Sequence, residues 1–505
     1  MDSVPKDTNK PFQEYPSKRS TTYDATGEDR ISNLPDSVLC HILRFLPTKN
    51  AVATAILSKS WKTLFASIHD LVLHFDDSVL LHPEQASDSN MLDRKTSFTS
   101  FVYRVLNVIL RDAAHIDAFF LSCEQEYDDD HINAWISAAL SHNVESLHLN
   151  MTMKNADLLL RSLSGCTTLT SLTFYKHLLL DVPGSFCLPN LKELDVEYVE
   201  FPSDDSVRRL FTGCPVLEDL GITCCDLRRV SVLDISIPSL KGLTIDTCEN
   251  HIDQQVILDT PALDIFSYYG CVAAGYPVKN LNTVRLAHIE ISLNEEQLIV
   301  ELEENGLNFY KNVAELVVAC SNVDHLWLSK ETITMMHFSG RSRTMFHNLA
   351  YLQLGGLDID GWSFLVTLLE MTPNLKFLDI TRGFYDEEGS YECFKEWIHG
   401  REPVCLSLHL KKIELWEFSG EEDEVKLVEY FLTNAKVLEQ IEICSSLSLE
   451  KLKVPISIVS WNKFGTITSR KKSSWFSALY VVALIFSTQY ASRYHALVFR
   501  LLAYA

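Results

Sequence analysis

A run of three aspartates and a histidine, Asp128-Asp129-Asp130-His131, offers side chains that commonly hold metal ions. Consecutive side chains point in different directions, so four in a row do not readily converge on one ion. We therefore interpret this run as a solvated loop. The sequence predicts neither a metal site nor a cofactor.

The cysteines form the second group of reactive side chains. The chain contains 13 of them, which are scattered without a C-x-x-C pair. Cys224-Cys225 is the only tight cluster in the sequence, and adjacent cysteines are poorly placed for one metal ion or one bridge. We interpret the cysteines as reduced residues in the core of an intracellular protein.

Composition narrows the functional classes further. The sequence has no Gly-rich phosphate loop, no H-E-x-x-H and no G-x-S-x-G motif, so we predict a protein that is not an enzyme. Its net charge is −23, with 67 acidic against 44 basic residues. Such a surface repels phosphate backbones and anionic lipid, which argues against a nucleic-acid partner. At 505 residues, the chain is long enough for several folding units or one extended repeat array.

Residues 29–70 carry more apolar surface than so small a unit can hide from water. Apolar residues at helical spacing predict a first helix between Pro35 and Pro47. A second helix should follow from about Lys49, and a third apolar group begins at Trp61. The segment has a single cysteine and no cluster of metal ligands, so a partner protein or the rest of the chain must cover it.

This segment resembles an F-box of the plant type. The resemblance lies in Leu34-Pro35-Asp36, Leu46-Pro47-Thr48-Lys49, Leu57-Ser58-Lys59 and Trp61-Lys62. It implies a three-helix module that binds a Skp-type adaptor and, through it, a cullin–RING ubiquitin ligase. The alternative is a helical bundle that only caps the repeats C-terminal to it. The residues expected at the adaptor surface, some of which also face the module's own core, are Leu34, Pro35, Leu39, Ile42, Leu43, Leu46, Pro47, Leu57, Ser58 and Trp61.

Residues 141–400 repeat the apolar pattern L-x-x-L-x-L at a spacing of mostly 22 to 26 residues. This period is the signature of leucine-rich repeats, in which each copy supplies one strand of a curved parallel sheet. We therefore predict an α/β fold in which a leucine-rich-repeat solenoid follows the three-helix F-box. The ten copies begin at Val144, Leu169, Leu191, Leu217, Leu240, Leu263, Leu281, Val313, Leu349 and Leu375, with a further copy at Val323.

The sequence predicts helical or irregular connections between these strands, with helices at 206–211 and 362–371. A proline before several strands fixes the turn. Residues 71–140 are expected to link the F-box to the repeats and to cap their open end. This cap should combine helices with strand-like groups at 72–75 and 119–121.

Residues 401–455 predict a β-α-β unit with the same periodicity. They resemble the FBD domain that follows leucine-rich repeats in plant F-box proteins. The resemblance lies in Cys405-Leu406, Leu410-Lys411 and the segment from Leu427 to Ala435. It implies the domain order F-box, repeats, FBD, which this chain follows.

The two ends of the chain differ from that family pattern. Residues 1–28 are polar and carry prolines, which predicts a disordered tail without a signal peptide. Residues 456–505 form an atypical hydrophobic tail, in which 473–492 is a run of 20 residues without a charge. Three interpretations compete: a membrane anchor, a helix packed on the last repeat, or a non-standard end such as a splice product. We favour the last, because polar residues dilute the run.

These features predict the substrate-recognition subunit of an SCF-type ubiquitin ligase in the nucleus or cytoplasm, with an unknown protein target. The alternatives are a scaffold that binds without promoting degradation and a small-molecule-sensing receptor. On the expected inner face of the repeats, we predict target contacts at Asp195, Glu197, Asp219, Asp246 and Asp379. Their charge favours a basic target, whereas the alternative is that these charges only keep the surface soluble.

Overall fold

The computed structural model describes most of the chain between Ile31 and Pro455. The described residues are 31, 34–54, 59–80, 91–111, 115–248, 254–300, 306–340, 344–357, 359–381, 402–418, 422–445 and 451–455. The predictions made for residues 1–28 and 456–505 and for Leu57 and Ser58 lie outside them. The chain divides into two compact units, one that ends at Ile68 and one that begins at His69.

The first unit contains the three helices that the sequence predicts. They are α1 (Asp36–Arg44), α2 (Thr48–Thr54) and α3 (Lys59–Ala66). The fixed φ of Pro35 suits the residue that precedes a helix, and Pro47 separates α1 from α2 because the residue before a proline avoids helical geometry. The buried apolar residues of the three helices are Leu39, Leu43, Ala51, Val52, Leu64 and Phe65.

The second unit is built on a long open sheet. In chain order, the strands of the described residues are β1 (Val72–Asp76), β2 (Ala118–Ser122), β3 (Ser146–Asn150), β4 (Ser171–Leu179), β5 (Glu193–Glu200), β6 (Asp219–Thr223), β7 (Val232–Ile235), β8 (Gly242–Asp246), β9 (Gln255–Asp259), β10 (Ile265–Cys271), β11 (Val278–Lys279), β12 (Leu286–Ser292), β13 (His325–Leu328), β14 (Tyr351–Leu354), β15 (Phe377–Ile380), β16 (Lys412–Phe418), β17 (Gln440–Ser445) and β18 (Lys451–Pro455). All except β7, β9 and β11 belong to this main sheet, whose order follows the chain. The predicted α/β fold with an open parallel sheet is confirmed.

The L-x-x-L-x-L pattern explains why the strands stack. Leu194 of β5 pairs with Leu220 of β6, which pairs with Leu243 of β8. Each of the three is at most 2% exposed, and so is Leu378 of β15. Successive residues of a strand alternate between faces, so this register places the paired leucines of neighbouring strands on one buried side.

Helices connect many of the strands. They are α4 (Asp77–Leu80), α5 (Met91–Arg104) with a π-helical turn at Val105–Ile109, α6 (Asp129–Leu140), α7 (Asp157–Leu163), α8 (Asp204–Thr212), α9 (Glu295–Val300), α10 (Gly306–Ala319), α11 (Lys330–Phe338), α12 (Ile359–Met371), α13 (Val404–Leu408) and α14 (Glu422–Asn434). The predicted helices at 206–211 and 362–371 lie in α8 and α12. No helix in the described part of the chain is long and apolar enough to cross a membrane.

The main sheet extends beyond the clear repeats at both ends. The strand-like groups at 72–75 and 119–121 form β1 and β2, which continue the parallel sheet. At the other end, β16, α14 and β17 form the predicted β-α-β unit, and β16 pairs in parallel with β15. β18 runs antiparallel to β17, unlike the predicted sheet, because the short 446–450 connection leaves no room for a parallel crossover.

One predicted repeat has the wrong register. Leu286, taken as an inward residue of the copy at Leu281, is 40% exposed, whereas Ala287 and Ile289 are buried. The structural copy therefore begins at Val284 and reads V-x-x-A-x-I. A search for large apolar residues missed this copy because Ala287 is small.

A second predicted strand, at 313–318, is helical. These residues lie in α10, where Val313, Leu316 and Val317 are buried at the i, i+3 and i+4 positions of one helix face. The further copy at Val323 supplies β13 instead. The wide interval between β12 and β13 therefore holds α9 and α10.

Three connections that were expected to be helical or irregular are strands. β7, β9 and β11 pair in parallel in a second sheet, in the order β11-β9-β7. The short segments of β7 and β9 are rich in valine and isoleucine, whose branched side chains favour extended backbone.

The acidic run at 128–131 begins a helix and is not a loop. Asp128 precedes α6, and its carboxylate accepts a hydrogen bond from the Asp130 N–H at 3.5 Å. Asp129 accepts another from the Asn155 N–H at 2.9 Å. Acidic residues suit this position because the N-terminus of a helix carries a partial positive charge.

One pair of cysteines contradicts the expectation that all are reduced. Cys224 and Cys248, which are 24 residues apart in sequence, form a disulfide with their Cα atoms 5.2 Å apart. They follow the neighbouring strands β6 and β8, so the fold brings together residues that no local sequence motif links.

The corrected register leads to a stability prediction. We expect Ile289→Ala to lower the free energy of unfolding by about 2–5 kcal/mol, because it leaves a cavity in the core. Leu286→Ala, at an exposed position, should cost no more than about 0.5 kcal/mol. Urea denaturation of both variants provides the measurement. A larger loss for Leu286→Ala would contradict the observed register.

Candidate functional site

Helix α1 divides its apolar residues between two sides. Leu39 and Leu43 are 3% and 1% exposed and belong to the core of the first unit. A second series at helical spacing remains exposed, and we call it the apolar row. Its members are Leu34, Val38, Ile42 and Phe45, which are 37%, 40%, 40% and 74% exposed.

The apolar row contains only part of the predicted adaptor surface. Leu34 and Ile42 belong to it, and Pro35 and Pro47 are also exposed. Leu46 and Trp61 are half-buried. Phe45 was not predicted, although it continues the helical series that starts at Leu34.

The second candidate surface is the side of the main sheet opposite the buried leucines, which we call the open face. On β3 and β4, for example, the buried pair Leu147 and Leu172 alternates with the less buried pair His148 and Thr173. Because the strands are in register, side chains of the open face form continuous rows across the sheet.

Five carboxylates gather on three neighbouring strands of the open face. This acidic centre consists of Glu193, Asp195 and Glu197 of β5, Asp219 of β6 and Asp246 of β8. Glu193 pairs with Asp219, which brings two acidic residues directly side by side. Four of the five predicted target contacts therefore lie together.

Two glycines give the carboxylates of the acidic centre their room. A Cβ atom at Gly221 would collide with Oδ1 of Asp195, and one at Gly242 would collide with Oδ1 of Asp219. Gly221 and Gly242 each pair with the strand that carries the carboxylate above them. Any larger residue at either position would displace an acidic side chain.

The carboxylates of the acidic centre repel one another. Burial raises the pKa of Asp195 and of Asp219, and the neighbouring Glu193 raises both further. Burial also raises the pKa of Glu197, with added contributions from Asp195 and Asp246. A cation placed among these groups would reverse their mutual destabilisation.

The lysines beside the acidic centre contact Glu218, a carboxylate outside it. Lys241 Nζ lies 2.6 Å from a carboxylate oxygen of Glu218, and Lys192 Nζ lies 3.8 Å from the other. In the part of the chain that the structure describes, no lysine or arginine forms an ion pair with the five carboxylates. The acidic centre therefore keeps uncompensated charge.

Stacked rings flank the acidic centre on both sides. On one side, Phe120 lies between His74 and His148, with centroids 4.3 and 4.2 Å from the two histidine rings. On the other side, His288 stacks on Trp327 at 3.9 Å. Burial lowers the pKa of His74, His148 and His288, so these rings are neutral near pH 7. Sequence reasoning missed both groups, because only strand register unites them.

Asp379, the fifth predicted target contact, stands apart. It lies on β15, five strands from β8, and is 5% exposed, which differs from the expected solvent exposure. Burial raises its pKa to about 6, and Glu414 on the next strand adds to the shift. The Tyr351 hydroxyl donates a hydrogen bond to Oδ2 at 3.3 Å and opposes the shift, as does Trp416.

Three family models match this chain. The F-box domain model matches residues 31–72, the model for the LRR repeats of FBD-associated F-box protein At5g56370 matches 132–289, and the FBD model matches 402–443. The chain is 31% identical over 445 residues to F-box/LRR-repeat protein At3g58930 of Arabidopsis thaliana, covering 82% of this chain and 90% of that relative. It is 34% identical over 370 residues to F-box/LRR-repeat protein At4g14103 of the same plant, covering 72% and 94%.

The chain belongs to the F-box/LRR-repeat protein family. F-box domains generally bind Skp-type adaptors in SCF complexes. Leucine-rich repeats present extended surfaces to other proteins. This F-box/LRR-repeat protein is therefore one that takes part in protein interaction.

The raised pKa of Asp379 predicts a pH effect on stability. Its ordinary pKa is about 3.9, so between about pH 4 and pH 6 the folded state binds more protons than the unfolded state. Stability from this group is thus lost as pH rises through that window. Relative to wild type, we expect Asp379→Asn to gain about 1–3 kcal/mol between about pH 4 and pH 7.5.

Urea denaturation at the two pH values measures this difference. Asp264→Asn is the control, because Arg285 lowers the pKa of the partly exposed Asp264 carboxyl, and that variant should show no such gain. A constant offset between Asp379→Asn and wild type at both pH values would contradict a raised pKa.

Proposed function

We propose that this chain is the substrate-recognition subunit of an SCF-type (Skp–cullin–F-box) E3 ubiquitin ligase. The apolar row carries this proposal. Leu34, Val38, Ile42 and Phe45 are exposed at 37–74%, although a small helical unit gains most by burying such side chains. A contiguous exposed apolar surface of this kind marks a site for a protein partner, here a Skp-type adaptor.

In this role, the chain itself carries out no chemistry. The F-box would hold the ligase and the second unit would hold the target, so that target lysines meet the ubiquitin-loaded enzyme at a high effective concentration. The proposal places the protein in the nucleus or cytoplasm, where such ligases act. It requires no cofactor.

We propose the acidic centre as the target-binding surface, with a basic segment of a protein as its ligand. Asp195, Glu197, Asp219 and Asp246 are the contacts within it. Uncompensated carboxylates favour a cationic partner and accelerate its approach. The faces of Phe120 are covered by His74 and His148, so the carboxylates and not the flanking rings carry this proposal.

Adaptor binding tests the first part of the proposal. We expect Leu34→Ala combined with Ile42→Ala to weaken binding of a purified Skp-type adaptor by about 30-fold to 1,000-fold. Two buried interface anchors are together worth about 2–4 kcal/mol. Isothermal titration calorimetry on the full chain gives the affinity.

The matched control changes two leucines that are at least as exposed but lie in the second unit. Leu298 and Leu408 are 47% and 61% exposed, and their replacement by alanine should leave adaptor affinity unchanged. Circular dichroism verifies that each variant is folded. Undiminished binding by the Leu34 and Ile42 variant would refute the ligase proposal and favour a scaffold without adaptor.

Charge reversal tests the target surface. Asp195→Lys, Glu197→Lys and Asp219→Lys together should abolish capture of targets that accumulate when the proteasome is inhibited. Binding of any such target by the wild type should also weaken with added salt, because screening shortens the reach of surface charge. Affinity purification followed by binding assays on the purified target provides both measurements.

The control for this triple variant reverses three carboxylates on helices. Asp130 on α6, Asp157 on α7 and Asp205 on α8 lie outside the strands of the open face, so their reversal changes net charge equally without touching the acidic centre. If both triple variants bind the target alike, the acidic centre has no specific role in recognition.

A further inference from the structure

The disulfide between Cys224 and Cys248 lies at the margin of the acidic centre. Cys224 directly follows β6, and Cys248 follows β8 after one intervening residue. Sγ of each cysteine and a carboxylate oxygen of Asp246 all lie within 4.8 Å of one another. The bond thus joins two successive repeats at the edge of the proposed target surface.

The backbone holds the two cysteines together independently of the bond. The Cys224 N–H donates to the Asp246 carbonyl at 2.7 Å, and the Cys248 N–H donates to Oδ1 of Asp246 at 2.8 Å. Both cysteines adopt left-handed backbone geometry, with φ of 48° and 49°. That geometry is uncommon for residues other than glycine and asparagine, so two aligned turns present cysteines where the backbone disfavours them.

Exposure to solvent distinguishes Cys224 and Cys248 from other cysteines nearby. Cys224 and Cys248 are partly exposed, whereas Cys225 and Cys271 are 3% and 1% exposed and lie in the core. Burial raises the pKa of Cys225 to about 12, which keeps it protonated and unreactive. Of these four cysteines, only Cys224 and Cys248 are both close together and in contact with solvent.

We propose that Cys224 and Cys248 form a reversible redox pair whose disulfide fixes the edge of the acidic centre. Disulfides of proteins from reducing compartments are usually transient and redox-sensing, and the proposed location is such a compartment. The oxidant is a small-molecule disulfide of the glutathione type. One protein thiolate attacks it and releases one glutathione thiol. The second cysteine then displaces the other glutathione, so two thiols lose their protons and one S–S bond replaces another.

The bond affects the surface through the two turns that it joins. Asp246 accepts hydrogen bonds from both cysteine N–H groups, and it belongs to the acidic centre. Oxidation restricts the conformational freedom of these two turns, and reduction restores it. The consequence for target binding rests on the proposed function, whereas formation of the bond does not.

Asp246 should also set the rate of exchange. Its negative charge near both sulfur atoms disfavours the thiolate that attacks a disulfide. We expect Asp246→Asn, which retains an oxygen to accept the Cys248 N–H, to be oxidised several-fold faster by oxidised glutathione. Equal rates for wild type and Asp246→Asn would overturn this part of the proposal.

The direct experiment titrates the full chain with glutathione buffers of increasing oxidation, followed by alkylation and peptide mass spectrometry. We expect the peptides of Cys224 and Cys248 to lose their two alkyl adducts together as the buffer becomes oxidising, and to regain them with dithiothreitol. Cys224→Ser and Cys248→Ser should each abolish this change. Cys187→Ser, which removes an exposed cysteine elsewhere, should preserve it.

Hydrogen exchange gives a readout that a purely structural disulfide would not match. Reduction should increase exchange at residues 223–226 and 246–248 and leave α12 unchanged. The proposal is overturned if the pair resists oxidation in every buffer, if dithiothreitol cannot reduce it in the folded protein, or if reduction loosens the whole sheet. It is equally overturned if one equivalent of Zn²⁺ protects both thiols and no disulfide forms.

Discussion

The second unit depends on the register between neighbouring parallel strands. Each strand must place its inward apolar residues beside those of both neighbours, since a shift by one residue would turn every side chain to the opposite face. Leu194, Leu220 and Leu243 satisfy this condition on three successive strands. No repeat can bury its leucines alone, so each strand is stabilised by the pair of strands beside it.

The same register determines the chemistry of the open face. Once one side of the sheet is committed to leucine, the alternate positions form rows in which like side chains meet across strands. Glu193 beside Asp219 is one consequence, and the stacked rings of Phe120 and His148 are another. Like charges in direct register are destabilising, so the pairing of Glu193 with Asp219 does not itself stabilise the sheet.

Sequence reasoning succeeded where a feature is local and repeated. The helices of the F-box, the parallel strands with large leucines and the β-α-β unit at 401–455 all follow from periodicity in short windows. It failed where one residue broke the pattern. Ala287 is too small to signal an inward position, and Val313 to Val318 satisfies strand and helix patterns equally. The length of the segment and its flanking residues decide between the two patterns. Here α10 begins at Gly306, well before Val313.

The candidate sites show the same division. The sequence predicted that Asp195, Glu197, Asp219 and Asp246 share one face of the array, because each lies at or beside a variable position of a repeat. It gave Asp379 the same role, because spacing carries no information about the neighbours that cover a side chain. Asp379 is buried, and its neighbours Tyr351 and Glu414 are distant in sequence and come beside it only when the strands pair. The disulfide of Cys224 escaped prediction for the same reason: its partner is adjacent only after strands pair.

The balance of forces at the acidic centre connects recognition with stability. The leucine core on one side of the sheet must offset the repulsion among carboxylates on the other, whose pKa values are raised by burial and by one another. The proposed basic ligand would replace that repulsion by attraction. A ligand that binds the folded sheet and not the unfolded chain would stabilise the repeats by an amount set by its concentration relative to its Kd. In the proposed ligase, the unoccupied array would therefore be the less stable form, and occupancy by a target would strengthen the surface that recognises it.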